Sequence, residues 1–342
     1  MAQPAIPSST IGLTSTIPVE IVFAAGLIPV DLNNVFVGSV RPEKLLTQAE
    51  TAGFAPNICA WIKGIYATVI NHKVKRVIAV TGGDCSNTVA LAEVLARRGV
   101  EIIPFDYPPD QDRDLLMAQM EKLRRALSVT WPDIQAAKKR LDGIRTKLRE
   151  LDRLTFEENV ISGFENHLFL VSSSDFKSDP DQFEQELDEF LRKAEQRERR
   201  KEAVRLGFLG VPPIFNDLYD RIESLGGRVV FNEIQRQFSM PYGDEDIVEQ
   251  YLHYTYPYDM RGRIEDIKKA VKERNLDGLI HYTQTFCFRQ IYDIILKESI
   301  SIPILTLEGD RPGGIDGRTA IRIETFIEIL KSRETTQPLY DR

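Results

Sequence analysis

The chain has 342 residues, 42% hydrophobic and 28% charged, with a formal net charge of −7. That length exceeds one ordinary core and predicts more than one domain. The acidic balance argues against nucleic acid, whose binding draws on basic surface. No apolar run reaches the roughly 18–20 residues of a membrane span. The N-terminal stretch also lacks the basic and then unbroken apolar segments of a secretory signal. A cytoplasmic protein with no membrane partner is therefore expected.

The first lobe opens with VEIVFAAGLIPV, an apolar stretch that predicts a short helix running into a strand. A helix is predicted from Pro42 to Ala52, closed by Gly53, and an amphipathic one from Ala60 to Asn71. RVIAVT at residues 76–81 reads as a buried strand, residues 89–98 as a helix ending at Gly99, and VEIIPF as the next strand. Strand, helix, strand is the pattern of a parallel βαβ unit.

Residues 111–200 read as mostly helical and highly charged, interrupted at Trp131-Pro132 and between Ser172 and Pro180. The charge run EQELDEFLRKAEQRERRKE is the ordinary composition of a solvated helix face and is assigned no chemistry. From Leu206 the alternation resumes: LGFLGV as a strand, residues 215–225 as a helix, GGRVVFNE as a turn and strand, then further helices and strands to Lys331. The expected fold is α/β, with lobes at 1–110 and 204–342 and a charged helical middle at 111–203. The two lobes are candidate structural duplicates.

Cys59, Cys85 and Cys287 are the only cysteines, an odd number without a CxxC pair, which argues against a disulfide framework and for reduced thiols. Cys85, in VTGGDCSNTVALAEVL, falls where a strand ends and a helix begins, with Ser86, Asn87 or Thr88 available as a cap. Cys287, in GLIHYTQTFCFRQIYDIIL, repeats that arrangement, and Cys59 opens a helical pattern with Asn57 as a possible cap. Helix starts lower thiol pKa values and favour anions. Two of these loops end strands, the edge where open α/β sheets place ligands. Spacing alone adds little, because scattered cysteines are commonly small buried hydrophobes and no ferredoxin or zinc-finger spacing applies.

The stretches NICAWIKGIYATVI, VTGGDCSNTVALAEVL, LDGLIHYTQTFCFRQ and ILTLEGDRPGGIDGRTAIRIETFIEIL carry more information. In these the chain resembles the cluster-binding subunits of the 2-hydroxyacyl-CoA dehydratase and benzoyl-CoA reductase family. The resemblance implies two flavodoxin-like (Rossmann-like) parallel-sheet lobes. It also implies one [4Fe–4S] cluster held by Cys59, Cys85 and Cys287 at a cleft between the lobes, with its fourth iron open. Ketyl radical chemistry on an acyl-CoA thioester would follow, with electrons from a separate ATP-hydrolysing iron–sulfur activator and a related or identical second subunit completing a dimer. The chain has no GxxxxGKS/T loop, so ATP use would belong to that partner. It departs from the family where Ile321 precedes Arg322 in place of an RTR-like pattern.

Glu308 and Asp310 match an acidic motif of the family, as a proton acceptor or, preferably, a clasp for Arg318 or Arg322. His281 and Tyr282 are placed to hydrogen-bond a cluster sulfur or deliver a proton, though a satisfied near-core histidine is the commoner role. His281 and Glu308 are the candidate catalytic residues. His72, His167 and His253 lack HxxxH or HExxH spacing, which argues against a zinc enzyme. Gly82 and Gly83 do not form GxGxxG and are expected to let the backbone pack closely at the cluster; Gly210 to Pro213 are expected to line the cleft. The expected function is a dehydratase or low-potential acyl-CoA reductase subunit. Its rivals are a same-fold reductase of a small non-CoA substrate with its own activator, and a non-enzymatic electron-transfer or carrier protein.

Overall fold

The computed structural model describes residues 9–201 and 204–336. In chain order the elements are β1 (Thr10–Leu13), α1 (Val19–Ala24), β2 (Ile28–Asp31), α2 (Leu32–Val37), α3 (Pro42–Thr51), α4 (Ala60–Asn71), β3 (Arg76–Gly82), α5 (Asn87–Arg97) and β4 (Glu101–Asp106). The helices α6 (Arg113–Ala126), α7 (Trp131–Phe156), α8 (Gly163–Ser172) and α9 (Pro180–Ala194) follow. Then come β5 (Val204–Gly210), α10 (Leu218–Ser224), β6 (Gly227–Asn232), α11 (Glu233–Phe238), α12 (Ile247–His253) and α13 (Met260–Glu273). The chain closes with β7 (Gly278–Gln284), a 3-10 turn at Phe288–Ile291, α14 (Tyr292–Ser299), β8 (Ile304–Gly309) and α15 (Gly317–Thr336).

Two compact units result, Met1–Arg149 with Leu170–Glu189 and Gln237–Gly262, and Glu150–Phe169 with Phe190–Arg236 and Arg263–Arg342. The chain passes from one unit to the other inside helices, and the helical middle is shared between them. No helix among the described residues is long and apolar enough to cross a membrane.

The first unit holds a parallel sheet in the order β2-β1-β3-β4 and the second a parallel sheet in the order β6-β5-β7-β8. In each, the first strand in sequence lies between the second and third, so the two sheets are topological copies of the flavodoxin-like kind. The strand order reverses at β1/β3 and at β5/β7, the points where open α/β sheets take ligands. The sequence pattern does not predict strand β1. Its four residues are all buried at an inner position of the sheet, yet TIGL is too short, and too closely followed by Thr, Ser and Pro, to give an alternating signal.

Helix α4 is buried over most of its length, which suits its run of small and apolar residues. Gly64 is required there: a Cβ on it would lie 2.3 Å from the Phe36 ring of α2. The one cation of α4, Lys63, is buried and satisfied by Glu50 and the Pro56 carbonyl at 2.8 and 2.9 Å. In the second unit, buried Arg228 donates to the Thr155, Asn159 and Ile161 carbonyls, closing the end of α7. Arg263 forks onto Glu233 at 2.6 and 2.8 Å, and the same carboxylate accepts from the Gly210 N–H at 3.0 Å.

Candidate site at the cysteine turns

Each cysteine stands at the start of a helical turn. Cys59 is the N-cap of α4, and Cys287 is the N-cap of the Phe288–Ile291 turn. Cys85 immediately precedes Ser86, the N-cap of α5, and its carbonyl accepts from the Thr88 N–H at 2.9 Å. None of these three starts has a side-chain cap hydrogen bond, so neither Asn57 nor Ser86 acts as the cap that the sequence pattern predicts. By contrast α2, α6 and α12 are capped by Asp31, Asp112 and Asp246. Helix starts without a carboxylate cap keep their N–H dipoles available to an anion such as a thiolate.

The duplication relates two of the cysteines. Cys85 lies three residues past β3 and Cys287 three residues past β7, the third strand of each sheet. Both loops turn through a left-handed residue, Gly83 (φ 87°) before Cys85 and Phe286 (φ 64°) before Cys287. Cys59 has no such counterpart, since Asp259 precedes α13, the helix that leads into β7 as α4 leads into β3.

In the first unit, Cys59 is buried within the cluster of Leu32, Ile62, Tyr66 and Leu91, and half-buried Cys85 packs against the same cluster. The two are thus brought to one region. A Cβ on Gly83 would come within 2.8 Å of Tyr107 Cβ and 2.9 Å of the Pro257 carbonyl oxygen, and one on Gly82 within 3.0 Å of Asp106 Oδ1. These glycines therefore serve packing within the protein. The neighbouring Asp84 carboxylate accepts from the Tyr256 hydroxyl at 3.1 Å, a contact 172 residues apart that no local pattern signals.

In the second unit, half-buried Cys287 closes a tight turn, its N–H donating to the Gln284 carbonyl at 3.0 Å. Gln290, on the same turn, donates to Glu308 at 3.0 Å, and the Thr285 N–H donates to the Gly309 carbonyl at 2.8 Å. Glu308 is exposed at the C-terminal end of β8. The expected clasp to arginine takes another form: Glu308 is held by Gln290, and Arg322 donates to the Thr306 carbonyl at 2.7 Å. His281 is inside β7 and almost fully buried, with Nδ1 3.0 Å from Asp293 Oδ1. Burial pushes its pKa down, partly offset by Asp293, so it is neutral at pH 7 and donates to that carboxylate. Burial pushes Asp293 up, but Lys297, Thr306 and His281 outweigh this and hold the carboxyl below its usual range. Val211, Pro212 and Pro213 are half-buried; Gly210 before them is so close to β7 that a Cβ would strike the Tyr282 carbonyl oxygen, and after them the Ile214 N–H donates to the Tyr282 hydroxyl at 3.2 Å.

Around Cys287 the surface is apolar, with Phe286, Phe288, Ile291 and Ile294 all exposed. Among the described residues no three His, Cys, Asp or Glu side chains are grouped as a metal site. Cys59 and Cys85 belong to one unit and Cys287 to the other. The donor chemistry nonetheless fits an iron–sulfur cluster, for which soft thiolates are the usual ligands.

Two flavodoxin-like sheets, each with a cysteine turn at the end of its third strand, define a class of duplicated α/β protein. The chain matches the family model of the 2-hydroxyglutaryl-CoA dehydratase D-component over residues 14–330, and it belongs to that family. No curated protein matches it.

Proposed function

We propose that this chain is the cluster-bearing, dehydratase-type subunit of a 2-hydroxyacyl-CoA dehydratase system, with Cys59, Cys85 and Cys287 as ligands to one [4Fe–4S] cluster. The observation that carries the reading is the shared setting of the three thiols: each begins a helical turn without a side-chain cap, and two recur at equivalent places in the duplicated sheets. Family membership supports the dehydratase assignment. When bound, the cluster would supply a low-potential electron and, with three thiolates for four irons, one open iron site for a thioester oxygen.

The chain's own residues set the surroundings. The helix starts stabilise the three thiolates, and the close packing at Gly83 fixes the Cys85 turn. His281 acts as a neutral strut between β7 and Asp293. Exposed Glu308, tied to the cysteine turn through Gln290, is the carboxylate best placed to exchange a proton with solvent beside Cys287. The exposed apolar side chains on and after that turn support a protein partner there, in keeping with a second subunit or the separate activator ATPase that the family assignment implies.

Electron paramagnetic resonance of the anaerobically reduced protein tests the reading. Addition of a 2-hydroxyacyl-CoA is expected to change the spectrum, with the corresponding free acid having less effect. A spectrum unmoved by any thioester would reject the acyl-CoA assignment and favour a closed-cluster electron carrier.

A further inference from the structure

Strand β2 is an edge of the first sheet, and one short segment satisfies its outward backbone groups. The Ser178 hydroxyl donates to the Pro29 carbonyl at 2.8 Å, and the Asp31 N–H donates to Asp175 Oδ2 at 2.7 Å. Ser174 Oγ donates to Asp31 Oδ2 at 2.7 Å, while Asn34 reaches the Val171 carbonyl and Ser174. An edge strand covered in this way is withheld from pairing with another chain.

The covering segment turns through three consecutive non-glycine residues in the left-handed region, Phe176 (φ 52°), Lys177 (φ 52°) and Ser178 (φ 66°). L-residues resist that conformation, so the surroundings must hold the turn. They do so from two sides. The Phe176 ring is buried against Phe23 and Phe183, and Asp175 Oδ1 accepts from the Lys177 N–H at 2.9 Å.

Asp31 and Asp175 are both buried. Their hydrogen-bond donors among the described residues are neutral: the N–H groups of Asp31, Asn33, Asn34, Asp175 and Lys177, the Asn33 amide and the Ser174 hydroxyl. The charged groups on the packed elements are engaged elsewhere. The Lys177 ammonium pairs with Glu186 of α9 at 2.7 Å. Arg145 of α7 lies 5.8 Å from the Phe176 ring centroid and pairs with Glu20 of α1 and Asp142. Burial, and then the charge of Asp31, push Asp175 up to about 7, and burial pushes Asp31 up as well.

We propose that Asp31 and Asp175 share one proton and form a clasp that fastens residues 170–179 to the edge of the first sheet, opening when the proton is lost. With both groups ionised, two buried carboxylates oppose each other with only neutral donors to offset them. The folded-state shift is upward, so the clasp is firmest at or below the ordinary carboxylate range, loosens as pH rises toward about 7, and changes no further above it. Opening uncovers the Pro29 carbonyl and the Asp31 N–H, and the left-handed turn relaxes.

Hydrogen exchange of the full chain, corrected for intrinsic rates, tests this between about pH 5 and about pH 8. Between about pH 5 and about pH 7, protection of the Asp31 and Lys177 amides is expected to fall up to tenfold per pH unit, as for loss of one proton, and to level off above about pH 7. Amides of β3 should not follow. Asp175→Asn keeps an acceptor for the Asp31 N–H but cannot ionise, so the fall in protection should be largely lost; Asp31→Asn removes the opposing charge but leaves Asp175 buried and ionisable, so the fall should move to lower pH, and this variant serves if the first does not fold. Protection that stays flat from about pH 5 to about pH 7 in the natural protein, or an unchanged pH dependence in a folded variant, would overturn the proposal.

Discussion

Replacing Gly83 by alanine is expected to disturb the Cys85 turn out of proportion to its single methyl group. Gly83 has φ 87°, and a Cβ there would lie 2.8 Å from Tyr107 Cβ and 2.9 Å from the Pro257 carbonyl oxygen. Neither atom ends a flexible side chain, and Tyr107 is itself anchored through its hydroxyl to the Thr16 carbonyl at 3.0 Å. The left-handed conformation costs alanine about 1–2 kcal/mol and overpacking a further 1–3 kcal/mol, or roughly 2–5 kcal/mol together. Gly99 is the matched control, with φ 82° and nothing within 4 Å of the point where an added methyl group would sit, so Gly99→Ala should lose only about 1–2 kcal/mol. Urea unfolding of the two variants side by side should separate them by about 1–3 kcal/mol. At temperatures where both remain folded, only Gly83→Ala should lose iron. Equal destabilisation of the two variants would refute the close-packing account of the Cys85 turn.

Glu20 is fully buried and accepts from Arg145, Gln250 and Tyr251 at 2.7–2.8 Å; Glu20→Ala should cost about 3–5 kcal/mol in urea unfolding, because buried Arg145 loses its main partner. Burial pushes Glu20 up, but Arg145 and its hydrogen bonds outweigh this and lower its pKa, so its contribution is present above the usual carboxylate range and is lost in acid. His167 is buried against Tyr219, and burial pushes its pKa down to about 4. Its depressed folded-state pKa means stability is lost as pH falls from about 6.5 to about 4, by roughly 3 kcal/mol, and His167→Phe should flatten that part of the pH–stability curve. A variant as acid-sensitive as the natural protein in that window would exclude His167 as the cause.

Much of the fold is legible in the sequence because the βαβ units carry strong local signals. Helix α4 coincides with the predicted Ala60 to Asn71, and β3, β4, β5 and β7 fall on their apolar runs. Strand β1 is hidden by its brevity. The passages between the two units are hidden because they occur within helices, where no Gly, Pro or Ser-rich linker marks them. At the site, the placement of the cysteines at helix starts follows from glycine and strand-end patterns. Their partners do not: Tyr256 on Asp84, Asp293 on His281 and Gln290 on Glu308 are tertiary contacts between residues that look ordinary in isolation. The Asp31 and Asp175 pair spans 144 positions and is likewise invisible in the sequence.

Whether three thiols hold one cluster is tested most directly by an anaerobic iron and sulfide count. The natural chain should carry about four irons and four sulfides, with the broad visible absorption of a [4Fe–4S] centre. Cys59→Ser, Cys85→Ser and Cys287→Ser should each lose most of it while remaining folded. Full iron content and unchanged absorption in any one of these variants would contradict the assignment.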